Sequence, residues 1–363
     1  MFKPRQMVRL GREARGGESV EPVRKSVVVH RAETDVGDPD PLLKDLAAVL
    51  PLSFGSELVE ETAIVEDGQT LYNRLVEAAR CIYDAVSNEK RPDSATLIDS
   101  LNAAIASLRE NDSLLTESVK QRDTERTMAV QSAQVTALSL RLGLEIGLDD
   151  RRCVALGLCS LTHEIGMLAL PEDMLSSTTK LTDEQFQLLR NHPRESQRMV
   201  EQFGSEFSWM GRVVVQVHER HDGTGYPEGL AGEEIHELAR IIGLADTYVA
   251  MATPRADREA KVTFNALNEI MDVNSTCFDQ ANTKALIRVV SIFPLGSLVK
   301  LNNGAIGRVV GTNRLYPTSP LMEMLIDPRG THLDPPVMID LVTEPLVSIV
   351  DPAIKESVLT VGG

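Results

Sequence analysis

Aromatic residues are scarce in this sequence, only 4% of 363 residues with a single Trp, so any core must be mostly aliphatic. Positive charge is also short: 37 Lys and Arg face 53 Asp and Glu, a net charge of −16. That balance argues against a binder of nucleic-acid polymers, whose phosphates demand basic side chains. It leaves room for a small anionic nucleotide, which needs only a local basic pocket. No apolar run approaches the roughly 20 residues needed to span a bilayer. The N-terminus, MFKPRQMVRLGREARGG, is basic but lacks the apolar segment of a secretory signal. The four cysteines, Cys81, Cys153, Cys159 and Cys277, form no CxxC pair. Buried free thiols in a cytoplasmic protein are the expectation.

What the chain does have is helical periodicity. Residues 1–42, rich in charge, Gly and Pro, read as a flexible arm with one strand at SVVVH (26–30). Its basic residues suit an acidic partner or a membrane surface, or are simply solvated. Residues 43–124 read as an N-terminal helical region, with apolar residues at three and four spacing in TLYNRLVEAARCIYDAV (70–86). A long helical stretch spans 114–148; its polar first half is compatible with a dimer, and the oligomeric state stays open. Helices joined by short loops continue to 290. At 294–350 the texture changes to a small β module of four or so strands, marked by a hairpin signal at Asn302-Asn303-Gly304. The fold class is therefore mainly α, with a C-terminal β module.

Five of the seven histidines lie between 163 and 236. Four polar sites there, His163-Glu164, His192, His218 and Asp246, are each embedded in apolar sequence and separated by about one helix plus a loop. His163-Glu164 reads as a ligand pair built into a helix. A buried Asp is costly unless paired or metal-bound. Imidazole and carboxylate together suit divalent Fe, Mn, Ni or Zn. A carboxylate beside a His can bridge two metals. Each residue alone has a plainer reading: a hydrogen-bonded core histidine, a half-exposed Glu164, an Asp246 that caps or pairs with Arg240.

The stretch VHERHDGTGYPEGLAGEEIHELARIIGLADTYVAM (217–251) resembles the signature of HD-GYP domains, all-helical members of the HD superfamily that hydrolyse the bacterial messenger cyclic di-GMP. Its loop contains Asp222, Gly223, Gly225, Tyr226 and Pro227. Upstream, LTHEIGMLALPEDML (161–175) resembles the family's His-Asp helix and the loop after it, KLTDEQFQLLRNHPRESQRMV (180–200) resembles its next helix with His192 in the ligand position, and the likeness runs over about 125–290. It implies a bi- or trinuclear site of Fe or Mn, with His163 and Glu164 at the catalytic centre. One metal would keep His163, Glu164 and Asp246, and the other Glu164, His192 and His218. Arg255 and Arg258 match basic positions near the ligand phosphates. The same likeness exposes departures. Gln131 and Val217 stand where the family has histidines, Met167 where it has a Lys, and Glu164 where it has an Asp. His221, three residues after His218, could substitute if the helix continued. The loop itself reads either as a tight structural turn or as a device presenting Tyr226 to a partner.

The expectation is a cytoplasmic signalling protein with a degenerate HD-GYP domain. It would act by binding cyclic di-GMP or a partner protein, with weak or no hydrolysis. An active metal-dependent cyclic di-GMP phosphodiesterase is the alternative.

Overall fold

A computed structural model describes residues 66–120, 127–175, 182–252, 263–272, 275–290, 293, 297–313, 316 and 318–351. The expected arm at 1–42, the SVVVH strand, Arg255 and Arg258 lie outside the described residues. The rest is mainly α, as the sequence indicates. No described helix is long and apolar enough to cross a membrane.

The first helices are α1 (Gly68–Ser87), α2 (Ser94–Glu110) and α3 (Ser113–Lys120). Asp67 and Asp93 cap the first two, each accepting from a backbone N–H of the opening turn. The stretch read as one long helix contains two, α3 and α4 (Met128–Ile146). Thr127 starts the second by accepting from Val130 N, and Gly147 ends it at φ 91°. α4 is buried along most of its length and forms the centre of the bundle. α5 (Asp150–Thr162) packs beside it, and every residue from Cys153 to Thr162 is buried. Cys153 and Cys159 are among them, whereas Cys81 is exposed on α1, so the thiols are only partly core residues.

A 3₁₀ turn (Ile165–Ala169), the short α6 (Glu172–Leu175) and α7 (Asp183–Glu201) follow. Thr182 and Gln185 cap α7 reciprocally. α8 (Ser208–Val214), α9 (Glu237–Ala252), α10 (Thr263–Asp272) and α11 (Gln280–Val290) complete the bundle. Two glycines permit the close contacts that shape its centre. A Cβ on Gly166 would lie 2.1 Å from His192 O, and one on Gly243 2.3 Å from Val217 O.

The C-terminal sheet has five antiparallel strands, one more than expected. They are β1 (Leu298–Leu301), β2 (Ile306–Gly311), β3 (Leu321–Ile326), β4 (His332–Asp340) and β5 (Ile349–Asp351), in the order β4-β3-β2-β1-β5. The β1–β2 hairpin turns at the Asn-Gly pair, with Gly304 at φ 91°. The sheet has its own core around Val299, Leu301, Val309, Met322 and Met324.

Candidate metal centre

The structure brings His163, Glu164, His192, His218 and Asp246 together from four parts of the chain. They form two groups whose ligand atoms lie within 4.8 Å of one another: Glu164, His192 and His218, and His163, Glu164 and Asp246. Glu164 is common to both.

His163 and His192 are each aimed by local structure. α5 ends at Thr162, so His163 and Glu164 are not built into a helix as the sequence suggested; they form its end and the entry to the 3₁₀ turn. The last-turn carbonyls of a helix lack intrahelical partners. His163 Nδ1 donates to one of them, Ser160 O, at 2.7 Å. A carbonyl only accepts, so the proton sits on Nδ1 and the Nε2 lone pair faces the site. His192 is set by its neighbour in sequence. Pro193 has no N–H, which frees the carbonyl four residues back in α7, Leu189 O. His192 Nδ1 donates to that carbonyl at 2.6 Å, and its Nε2 turns inward. This backbone partner fixes tautomer and ring orientation as supports of metal-bound histidines do.

His163 Nε2 lies 3.9 Å from Glu164 Oε1 and 3.8 Å from Asp246 Oδ1. Glu164 Oε2 lies 3.5 Å from His192 Nε2, and Oε1 lies 3.8 Å from His218 Nε2. The two imidazoles of His192 and His218 face each other, Nε2 to Nε2, at 3.0 Å. His163 Nε2 and Glu164 Oε2 are buried without any hydrogen-bond partner. An orphaned acceptor in a buried site is costly. A divalent cation satisfies such atoms, and two ligands each about 2.1 Å from one ion sit about 3–3.5 Å apart. The observed spacings need only contract slightly. The donor set therefore fits a pair of divalent ions.

Electrostatics favour a cation at His218 and Asp246. Burial, and then the neighbouring His192, hold His218 well below the usual imidazole range, so it is neutral and its lone pair is available. Burial opposes the charged form of Asp246, but His163 beside it outweighs burial and keeps the carboxyl far below its ordinary value. Burial likewise opposes protonation of His163, but Asp246 and Glu164 outweigh it and raise its pKa, so a proton on Nε2 competes with a cation for that lone pair.

The departures are placed as follows. Gln131, on α4, donates from Nε2 to Asp246 Oδ1 at 3.4 Å, so its amide reaches the site. Val217 is 1% exposed and packs in the aliphatic core. Met167 is half-buried in the 3₁₀ turn. His221 belongs to neither group: the chain around His218 is a run of turns, not a continuing helix, and His221 N donates to Cys277 O. Arg240 pairs with Glu233 at 2.9 Å, not with Asp246.

The loop of Asp222, Gly223, Gly225, Tyr226 and Pro227 folds over the His192–His218 pair. The Tyr226 ring stacks on His218, with centroids 5.1 Å apart and planes within 6°. Asp222 accepts from Thr224 and Thr276, which hold its carboxyl down at about 2. Gly223 has φ 79°, a conformation glycine favours. A Cβ on Gly225 would strike Glu219 Cα at 2.4 Å.

One supporting residue is not legible in the sequence. The buried carboxylate of Glu219 accepts from the backbone N–H groups of Glu228, Gly229 and Leu230, at 2.6 to 3.1 Å. Its partners lie nine to eleven residues on in an irregular loop, so no periodicity announces them. Glu219→Ala should cost about 2 kcal/mol by leaving these donors unpaired. Urea unfolding of the two proteins checks this; equal midpoints would mean that the loop does not depend on the carboxylate.

Residues 112–281 match the HD domain family, and residues 298–360 match a KOW domain associated with HD domains. A cyclic di-GMP phosphodiesterase of Pseudomonas aeruginosa is 31% identical over 248 residues, covering 68% of this chain and 59% of that protein. A 3'3'-cGAMP-specific phosphodiesterase of Vibrio cholerae is 34% identical over 145 residues, covering 39% of this chain and 32% of that one. The chain thus spans less than two thirds of the length of either relative. A solved HDG"Y"P protein from Bdellovibrio bacteriovorus shares the fold, with a TM-score of 0.50 at 18% identity over 67% of this chain and 76% of that one.

Proposed function

From a chain that belongs to the HD-domain proteins of the HD-GYP kind, we propose a signalling protein that binds two divalent cations, Fe or Mn, and through them a cyclic dinucleotide such as cyclic di-GMP, and hydrolyses it weakly or not at all. The observation that carries the reading is the pair of three-residue groups sharing Glu164. His163 and Asp246 would hold one cation, His192 and His218 the other, and Glu164 both.

When bound, such a pair neutralises phosphodiester charge and acidifies a water. The protein's own residues would make such turnover slow. Each cation keeps only three protein ligands. Met167 has no hydrogen-bond donor for a phosphate, and one missing transition-state donor costs about 10²–10³ in rate. Gln131 offers only its amide oxygen, a poor ligand, and its Nε2 is turned to Asp246. Val217 cannot ligate. A second reading, an ordinary active phosphodiesterase, draws on the same two groups, because three ligands per ion leave coordination positions open.

Metal analysis, calorimetric titration with cyclic di-GMP and turnover of the Mn-loaded protein separate the readings. The expected outcome is about two equivalents of metal, measurable binding, and kcat of about 0.1 s⁻¹ or less, set by that loss against a typical 10 s⁻¹. Turnover near about 10 s⁻¹ would establish the second reading. Protein that takes up neither metal nor dinucleotide would sink both.

A further inference from the structure

Outside the metal groups, one arrangement at their edge has no assigned role. The Tyr226 ring, stacked on His218, carries the Arg190 guanidinium over it, with Cζ 5.0 Å from the ring centroid. The same guanidinium lies 5.9 Å from the ring of Phe186, one helical turn earlier on α7. His218, Tyr226, Arg190 and Phe186 thus form a continuous row of flat groups leading from the metal groups to the surface. Phe186 is 49% exposed, an unusual setting for a large aromatic in a chain with so few. Arg190 makes no ion pair among the described residues, although the neighbouring arginines on α7, Arg194 and Arg198, pair with Glu228 and Glu195. Among the described residues its guanidinium makes ring contacts only. Arg194 also reaches Pro227 O at 3.4 Å and Glu228 at 2.7 Å, which fastens the loop to α7 and keeps Tyr226 in the row.

We propose that Phe186 and Arg190 form the subsite for a guanine base of the bound cyclic dinucleotide, with Tyr226 as its inner wall. The proposal rests on the dinucleotide reading above and names the part of the molecule that reads the base. A purine presents a π face, and an exposed aromatic ring beside a guanidinium plane stacks it. The fork of Arg190 matches the O6 and N7 acceptors of guanine, a bidentate pairing that adenine cannot offer, because its N6 is a donor. The row begins at the metal groups, where the phosphodiester would sit, so base and phosphate subsites adjoin. Neither Phe186 nor Arg190 belongs to a ligand group, which allows the subsite to be tested without removing a ligand.

The test is calorimetric titration of the Mn-loaded full chain with cyclic di-GMP and with cyclic di-AMP, for the unmodified protein and for Phe186→Ala, Arg190→Ala and Arg190→Lys. Phe186→Ala is expected to weaken both ligands about tenfold through lost stacking. Arg190→Ala is expected to weaken cyclic di-GMP about tenfold or more. Arg190→Lys keeps a cation over Tyr226 but lacks the fork, so it should bring the ratio of the two dissociation constants towards one. If Arg190 merely props Tyr226, the Lys variant will behave as the unmodified protein, and that result overturns the proposal. Unchanged cyclic di-GMP binding by Arg190→Ala and Phe186→Ala overturns it too, while leaving the dinucleotide reading intact. An unmodified protein that holds metal but binds neither dinucleotide overturns that reading and the subsite with it.

Discussion

Glu164→Gln should strip both cations from the protein in one substitution. Glu164 is the only residue common to the two ligand groups among the described residues, with Oε1 turned to His163 and His218 and Oε2 to His192. The amide keeps the size of the side chain, so the fold is retained. It removes one negative charge from each site and replaces a ligand oxygen by an NH₂ that cannot ligate. Losing an outer partner of a metal ligand already costs about 10–100-fold in affinity, so losing a shared ligand should cost more than about a hundredfold at each site. Asp246→Asn touches one group only. Metal analysis after equilibration with Mn²⁺ is expected to read about two equivalents for the unmodified chain, about one for Asp246→Asn and close to none for Glu164→Gln, as the ligand count of each site requires. A Glu164→Gln protein that keeps one equivalent would show that the carboxylate serves a single ion, and the shared-ligand geometry would be wrong.

Much of this centre is legible in the sequence because it sits where chemistry contradicts its surroundings. Asp246 falls in the near-apolar helix ARIIGLADTYVAM, and His163 follows a stretch buried from Cys153 onward. The mainly helical class is equally legible, since three-and-four spacing survives in most helices, and Asn302-Asn303-Gly304 marks the hairpin. What is not legible depends on close approach between remote segments. Nothing local ends α5 at Thr162 instead of carrying the helix through Glu164. The Glu219 clamp and the Arg190–Tyr226 contact join residues 9 to 36 positions apart through irregular loop geometry. The role of Pro193 is a middle case. A His-Pro pair inside a helix is visible in sequence, but that the freed carbonyl takes the imidazole Nδ1 emerges only in three dimensions.

Gly166→Ala is the second large effect expected, and it tests how the two halves of the centre are kept in register. His163 and Glu164 enter from α5 and the 3₁₀ turn, whereas His192 enters from α7. Gly166 is where these elements touch. Its N–H donates to Ser196 Oγ at 2.8 Å, and that hydroxyl donates to His163 O at 2.7 Å. A Cβ there would sit 2.1 Å from His192 O and 2.5 Å from Ser196 N, distances that no rotamer change relieves because both atoms are backbone. The turn must retreat from α7, which loosens the Ser196 bridge and parts Glu164 from His192. Overpacking of this kind costs about 1–3 kcal/mol, and losing the buried hydrogen bonds adds to it, so a total of about 3 kcal/mol or more is expected. Manganese affinity should fall in the same variant, since the ligands no longer converge. Gly211→Ala is the matched control: its Cβ would meet only the flexible side chains of Gln197 and Glu201, at 3.2–3.3 Å. In a helix that change is favoured by up to about 1 kcal/mol, which offsets the tight contact and leaves stability near that of the unmodified chain. Denaturant unfolding without metal, followed by manganese titration, reads both quantities. A Gly166→Ala protein with unchanged midpoint and unchanged affinity would mean that the turn and α7 are not in the contact that positions Glu164.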